Sequence, residues 1–202
     1  MNTIVLKGII KNITPSHTIN DVEYCKADLI VTRKNGKEDV LSIRFKKFSN
    51  PYKDNQLISL KGNVRSYSRE VEDGKHKVEL YVFTYFDIPE LDEEDHEIIN
   101  KFTVDGRICK KDALRISHDG KPNIHFVLAN NLYAEHENVK LNSYLPTVAF
   151  AGLAKKINDL PIGTKLSLTG ELHSREYKKK LDNGEYEIRV AHELSLNRFE
   201  LL

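Results

Sequence analysis

The chain has 202 residues, 40% hydrophobic and 30% charged with a net charge of +1, the composition of a soluble globular protein with one or two cores. No run approaches the roughly 18 apolar residues of a membrane span, and the opening MNTIVLKGIIKN has neither a basic leader nor a small-residue cleavage site, so a cytoplasmic protein is expected. Cys25 and Cys109 lie far apart without a C-x-x-C or a nearby His pair, which argues against a zinc site or a disulfide framework and for two buried small hydrophobes.

In chain order, period-2 and short apolar runs predict strands at Thr3–Ile10, Val22–Thr32, Asp39–Phe45, Leu57–Arg65 and Lys77–Tyr85. The piece KKFSNPYKDN, Lys46–Asn55, leaves room there for only a short helix or none. The acidic piece DIPELDEEDHEIIN, Asp87–Asn100, carries a proline and a charge run and reads as a linker or a short surface helix. Strands follow at Phe102–Ile108, Asn123–Leu128, Thr147–Phe150, Lys165–Leu172 and Glu187–Ala191. In AGLAKKINDLPIG, Leu153, Ala154 and Ile157 fall at helical spacing before Pro161 and Gly163 end the segment.

Net charge divides as +5 over residues 1–86, −7 over 87–100 and +3 over 101–202. Two basic segments flanking an acidic one fit polyanion-binding surfaces joined by a connection that does not bind. The halves also look like copies. ISLKGNVRSYSREVEDGKHKVELYV (Ile58–Val82) parallels LSLTGELHSREYKKKLDNGEYEIRV (Leu166–Val190), and LKGIIK parallels VDGRICK. Two copies about 100 residues long mean domain duplication rather than a solenoid. Five strands with a helix between the third and fourth is the order of the OB-fold, a five-stranded Greek-key barrel that binds oligonucleotides on one face; a sandwich wants about seven strands. The fold expected is therefore all-β with a minor helix: two tandem OB-folds, at residues 1–86 and 101–202, joined by the linker 87–100.

Strand parity sorts the candidate side chains. In KLSLTGELHSREY, Leu166, Leu168, Gly170 and Leu172 face the core, leaving Thr169, Glu171, His173, Arg175 and Tyr177 on the other side. In the first copy Ile58, Leu60, Gly62 and Val64 take the core parity, and Lys61, Asn63, Arg65, Tyr67 and Arg69 the opposite one. Both hairpins are thus expected to hold tyrosine and arginine outside the barrel, where aromatic rings stack on bases and cations track phosphates. FKKF, Phe45, Lys46, Lys47 and Phe48, interleaves rings and cations in the same way; its phenylalanines could equally cap the barrel. Lys110, Lys111, Lys178, Lys179 and Lys180 are assigned on charge alone.

NKFTVDGRICKKDALRISHDGKPNIHFVLANN, with V-A-F running into L-A-K and then G-E-L-H-S-R-E-Y, resembles the bacterial single-stranded DNA-binding proteins over about residues 100–195. The first half shares the periodicity and LKGNVRSYSRE. The resemblance implies base-stacking aromatics at Tyr144, Phe150 and Tyr177, more loosely at Tyr133, and DNA-proximal cations at Arg115 and Arg175; the tryptophans common in the family are absent. It also implies four OB-folds per functional unit, hence a homodimer of this chain. Family members recruit replication and repair proteins through an acidic C-terminal tail, whereas the sequence given closes on ELSLNRFELL and its acidic run is internal, so recruitment by a tail is not expected.

No nucleophile triad, phosphate-binding loop or metal-ligand spacing is present, so neither an enzyme nor a cofactor is expected. The function expected is binding of single-stranded DNA without sequence preference, in replication, recombination or repair. A primosome or recombination assembly adaptor that uses OB-folds for protein contacts is the alternative, and RNA is a third ligand class.

Overall fold

The computed structural model describes residues 1–47, 52–71, 75–87, 99–134, 139–181 and 184–202. Strands β1 (Asn2–Ile19), β2 (Val22–Thr32), β3 (Glu38–Lys46), β4 (Leu57–Val71) and β5 (Lys75–Asp87) form the first half. The second half holds β6 (Asn100–Lys111), β7 (Arg115–Ile116), β8 (Pro122–Ala134), β9 (Val139–Phe150), α1 (Ala151–Asp159), β10 (Lys165–Lys180) and β11 (Tyr186–Leu201). Each half closes into a barrel in the same way. β1 pairs with both β2 and β4, and a short parallel contact between β3 and β5 seals the ring. β6 pairs with β8 and β10, and β9 with β11, in the same pattern. An antiparallel β1–β6 pair fuses the barrels into one 11-stranded sheet. This is the tandem OB-fold architecture that element order predicts.

The core parity holds throughout. Leu166, Leu168, Leu172, Ile58, Leu60 and Val64 are buried, and one hydrophobic cluster runs through both barrels. Two glycines in the duplicated motif lie where strands nearly touch. A Cβ on Gly62 would stand 2.3 Å from the Phe83 carbonyl oxygen, and one on Gly170 would stand 1.9 Å from that of Ser195. Each also sits beside a ladder irregularity, Lys61/Gly62 and Thr169/Gly170.

Beyond those glycines β4 leaves β1 and β10 leaves β6, each still paired with its hairpin partner, and an asparagine takes over each lost ladder. The Asn2 carboxamide donates to the Val64 carbonyl (2.8 Å) and accepts from its amide (2.9 Å). Asn100 does the same for Leu172, at 2.8 and 2.9 Å. A carboxamide has one acceptor oxygen and an NH2 donor, so it can replace a peptide group in a ladder.

The departing hairpins then reach across to the opposite barrel. Ser66 of β4 accepts from the Tyr144 amide at 2.8 Å, and Ser174 of β10 accepts from the Val40 amide at 3.0 Å. These crossings explain why β10 and β11 run well past the predicted Leu172 and Glu187–Ala191. The arms are polar on both faces, so no alternating pattern marks them. β7, two residues long, is too short to show a period.

Helix α1 forms where predicted. Of Lys46–Asn55, residues 48–51 lie outside the described residues, as does 88–98 of the acidic segment. Cys25 is buried as expected, but Cys109 is exposed, because it falls on the outward parity of β6 between Ile108 and the surface. Among the described residues no helix is long and apolar enough to cross a membrane.

Candidate nucleic-acid interface

On the second barrel the outward parity of β9 carries Tyr144, Pro146, Val148 and Phe150; Tyr144 is 52% and Phe150 49% exposed, while Val148 is covered. Rings of that size are ordinarily buried on folding, so two half-exposed rings on one outer strand face leave aromatic surface open to solvent. Tyr133 is half exposed at the end of β8, opposite Lys140. The surface continues through His125, the cross-strand partner of Val148, to Glu193 and Arg175. Glu193 lies 3.8 Å from His125 and 3.7 Å from Arg175. Glu193 thereby neutralises part of the Arg175 charge, which lowers that residue's pull on phosphate.

Tyr177 lies on the outward side of the β10–β11 hairpin, opposite Arg189. Arg189 is ion-paired to Glu187 at 2.5 Å; that bond and a further one with Tyr177 hold its guanidinium pKa above the ordinary value. Lys178, Lys179 and Lys180 are exposed but alternate between the two faces of the arm, so they do not form one cationic patch. Lys110 and Arg115 are exposed on β6 and β7.

Three expectations need correction. Lys111 is not directed at a ligand: its ammonium donates to the Ile157, Asn158 and Leu160 carbonyls at the end of α1, capping the helix dipole. Phe45 takes the core parity of β3, is 3% exposed and meets Tyr52 edge-on at 5.2 Å. Arg65 does point out of the barrel, yet it is only 4% exposed, because its guanidinium lies over the Phe83 ring at 4.1 Å. Lys47 pairs with Glu23 at 2.5 Å and Lys46 is half buried, while Phe48 and the Arg69 side chain lie outside what the structure describes.

Tyr67 belongs to a cluster that the sequence reading missed. Its hydroxyl donates to Glu79, its ring meets that of Tyr81 at 5.9 Å, and the Arg44 guanidinium lies against both, 4.5 and 4.3 Å from their centroids. Phe83 lies 6.0 Å from Tyr24, which stacks on His17 at 4.7 Å. Partial burial, and then the nearby Arg44 charge, hold the His17 imidazole below its ordinary pKa. The signal was present in ELYVF and SIRF. With Val82 and Ile43 in the core, parity sends Tyr81, Phe83 and Arg44 outward together.

The registers also show that the two outer faces carry different chemistry at matching positions. Arg44 and Phe83 pair where Val148 and Ser195 pair in the second barrel. Arg65 and Tyr81 stand where His173 and Glu193 stand. The expected repetition of an Arg–Tyr pair is therefore one of parity, not of position. Among the described residues no group of three or more His, Cys, Asp or Glu could hold a metal ion.

No curated protein matches the chain. Among solved structures, the chain is similar to the wild-type single-stranded DNA binding protein from Thermus aquaticus. The TM-score is 0.71 at 21% identity, covering 100% of this chain and 93% of that one. A deletion mutant of the same Thermus protein gives 0.72 at 19% identity, covering 100% and 94%. At such identities the likeness speaks for the fold, in both barrels at once. The model of the single-strand binding protein family matches residues 99–201, just over half of the sequence, and the chain belongs to that family.

Proposed function

We propose that the protein binds single-stranded DNA without strong sequence preference, by stacking bases on aromatic rings and holding phosphates with Lys and Arg, in replication, recombination or repair. The observation that carries this is the pair of half-exposed rings, Tyr144 and Phe150, on one outer strand face of the barrel that matches the family. A π-face accepts any base, which is the chemistry of a sequence-tolerant binder. In this reading residues 1–86 and 101–202 are the two OB-fold domains, and the acidic 87–100 segment is a connection that repels the strand. Two chains would bring together four barrels, the number on which a homodimer rests. The assembly-adaptor reading draws on one observation only, the self-paired outer face of the first barrel.

Tyr177→Ala tests the reading at a residue beyond the last core contact of β10. Affinity for oligo-dT, followed by fluorescence anisotropy, should fall by about 1 to 3 kcal/mol, with the melting temperature nearly unchanged. A large fall in melting temperature with unchanged affinity would make Tyr177 a packing residue and favour the adaptor reading.

A further inference from the structure

We propose that single-stranded nucleic acid stacks on the second barrel and not on the first, because the first barrel's aromatic platform is already occupied by its own arginines. The proposal rests on the single-strand-binding reading above and specifies which half of the molecule carries it.

Base stacking needs a ring face that can be reached from solvent. In the first barrel Arg44 covers one face each of Tyr67 and Tyr81, at 4.5 and 4.3 Å, and Arg65 covers one face of Phe83 at 4.1 Å. Phe83 is 3% and Arg65 4% exposed. A guanidinium at these distances is held by the quadrupole of the ring, so an incoming base must displace it and forfeit that attraction. Tyr67 is fixed further by its bond to Glu79.

In the second barrel the positions of Arg44 and Phe83 are taken by Val148 and Ser195, which leave no cation to cover a ring. Its rings have moved to the neighbouring positions, Tyr144 and Phe150. There the first barrel has Val40 and Lys46, as the shared β2–β3 and β8–β9 registers show. Duplication thus preserved the barrel and relocated these aromatics, and the relocated pair is half exposed where Phe83 is buried. One chain then presents one stacking site, and the first barrel acts as a folded scaffold for it through β1–β6.

The test compares Tyr144→Ala with Tyr81→Ala in the full chain, reading oligo-dT affinity at fixed low salt. Tyr144→Ala should weaken binding at least about fivefold, and Tyr81→Ala by less than about twofold. Because Tyr81 also packs, the wild-type chain is in addition photocrosslinked to oligo-dT carrying 5-iododeoxyuridine and the adducts are mapped. Adducts confined to residues 139–150 and 177–190 agree with the proposal. Adducts at 67–83, or an equal or larger loss from Tyr81→Ala in a variant with wild-type melting temperature, overturn it. Absence of any oligo-dT binding by the wild-type chain would instead overturn the single-strand-binding reading beneath it, so the two failures are told apart.

Discussion

Replacing Phe102 by alanine should destabilise the protein by about 3 to 5 kcal/mol, the range for truncating a fully buried phenylalanine. Phe102 is wholly buried on β6, pairs with Ile4 across the β1–β6 junction, and its ring edge would lie 3.0 Å from a Cβ on Gly170. The β1 and β6 registers place Ile4 and Phe102 at corresponding points of the two halves, each opposite the other, so the pair marks the approximate two-fold axis that relates the barrels. Emptying that position opens a cavity bounded by strands of both barrels, which neither can collapse alone. For a chain of this size the loss corresponds to a fall in melting temperature of about 6 to 20 °C. Because one cluster spans both cores, thermal unfolding should remain a single transition in wild type and variant alike. A loss below about 1 kcal/mol, or two separated transitions, would mean that the barrels are stable independently of the junction.

The second large effect lies at the crossing of β10 over the first barrel. The Asp39 carboxylate accepts from Arg33 at 2.6 and 2.5 Å and from the Ser174 amide at 2.6 Å, while Arg33 also donates to the Ser174 carbonyl at 3.1 Å. The Asp39 side chain is wholly buried and that of Arg33 is one-fifth exposed. Burial pushes the carboxyl pKa up, but the Arg33 and Ser174 hydrogen bonds and the nearby His173 and Arg33 charges outweigh it, so the pKa lies below its ordinary value. A depressed carboxyl pKa contributes stability above the unfolded value, near 3.9, and that contribution is lost as pH falls through the folded value.

Asp39→Asn removes the charge and strands a partly buried guanidinium. The expected cost at pH 7 is about 3 kcal/mol, the low end for breaking a buried pair, because Arg33 keeps some contact with water. The difference in melting temperature between wild type and variant should be constant from neutral pH down to about 4 and should shrink below it. A gap that does not change on acidification would show that the carboxylate charge is not what holds the crossing.

Core parity, barrel closure and the position of α1 were legible in the sequence, because each rests on a local period. Leu166, Leu168, Gly170 and Leu172 needed nothing beyond the alternation of a strand. What an outward residue packs against is set by a different strand, and so the burial of Arg65 against Phe83 left no local trace. Lys111 is a similar case, because its partners are carbonyls some 46 to 49 positions away at the end of α1. The arms of β4 and β10 could be read as hairpins from strand parity, but with both faces polar nothing in them marked that they cross onto the other barrel. Ser66 and Ser174, the pivots of the two crossings, sit at matching places in RSY and HSR. That repetition was visible in the sequence, but only the structure gives it a role.

The central claim is that the outer face of this tandem barrel tracks a single-stranded phosphate backbone while stacking its bases. It is tested most directly by titrating fluorescent oligo-dT at a series of salt concentrations. Log affinity should fall linearly with log salt, with a slope of about −0.7 for each phosphate contacted, and Tyr144→Ala should lower the affinity without changing that slope. No binding at low salt, or binding that salt does not weaken, would contradict it.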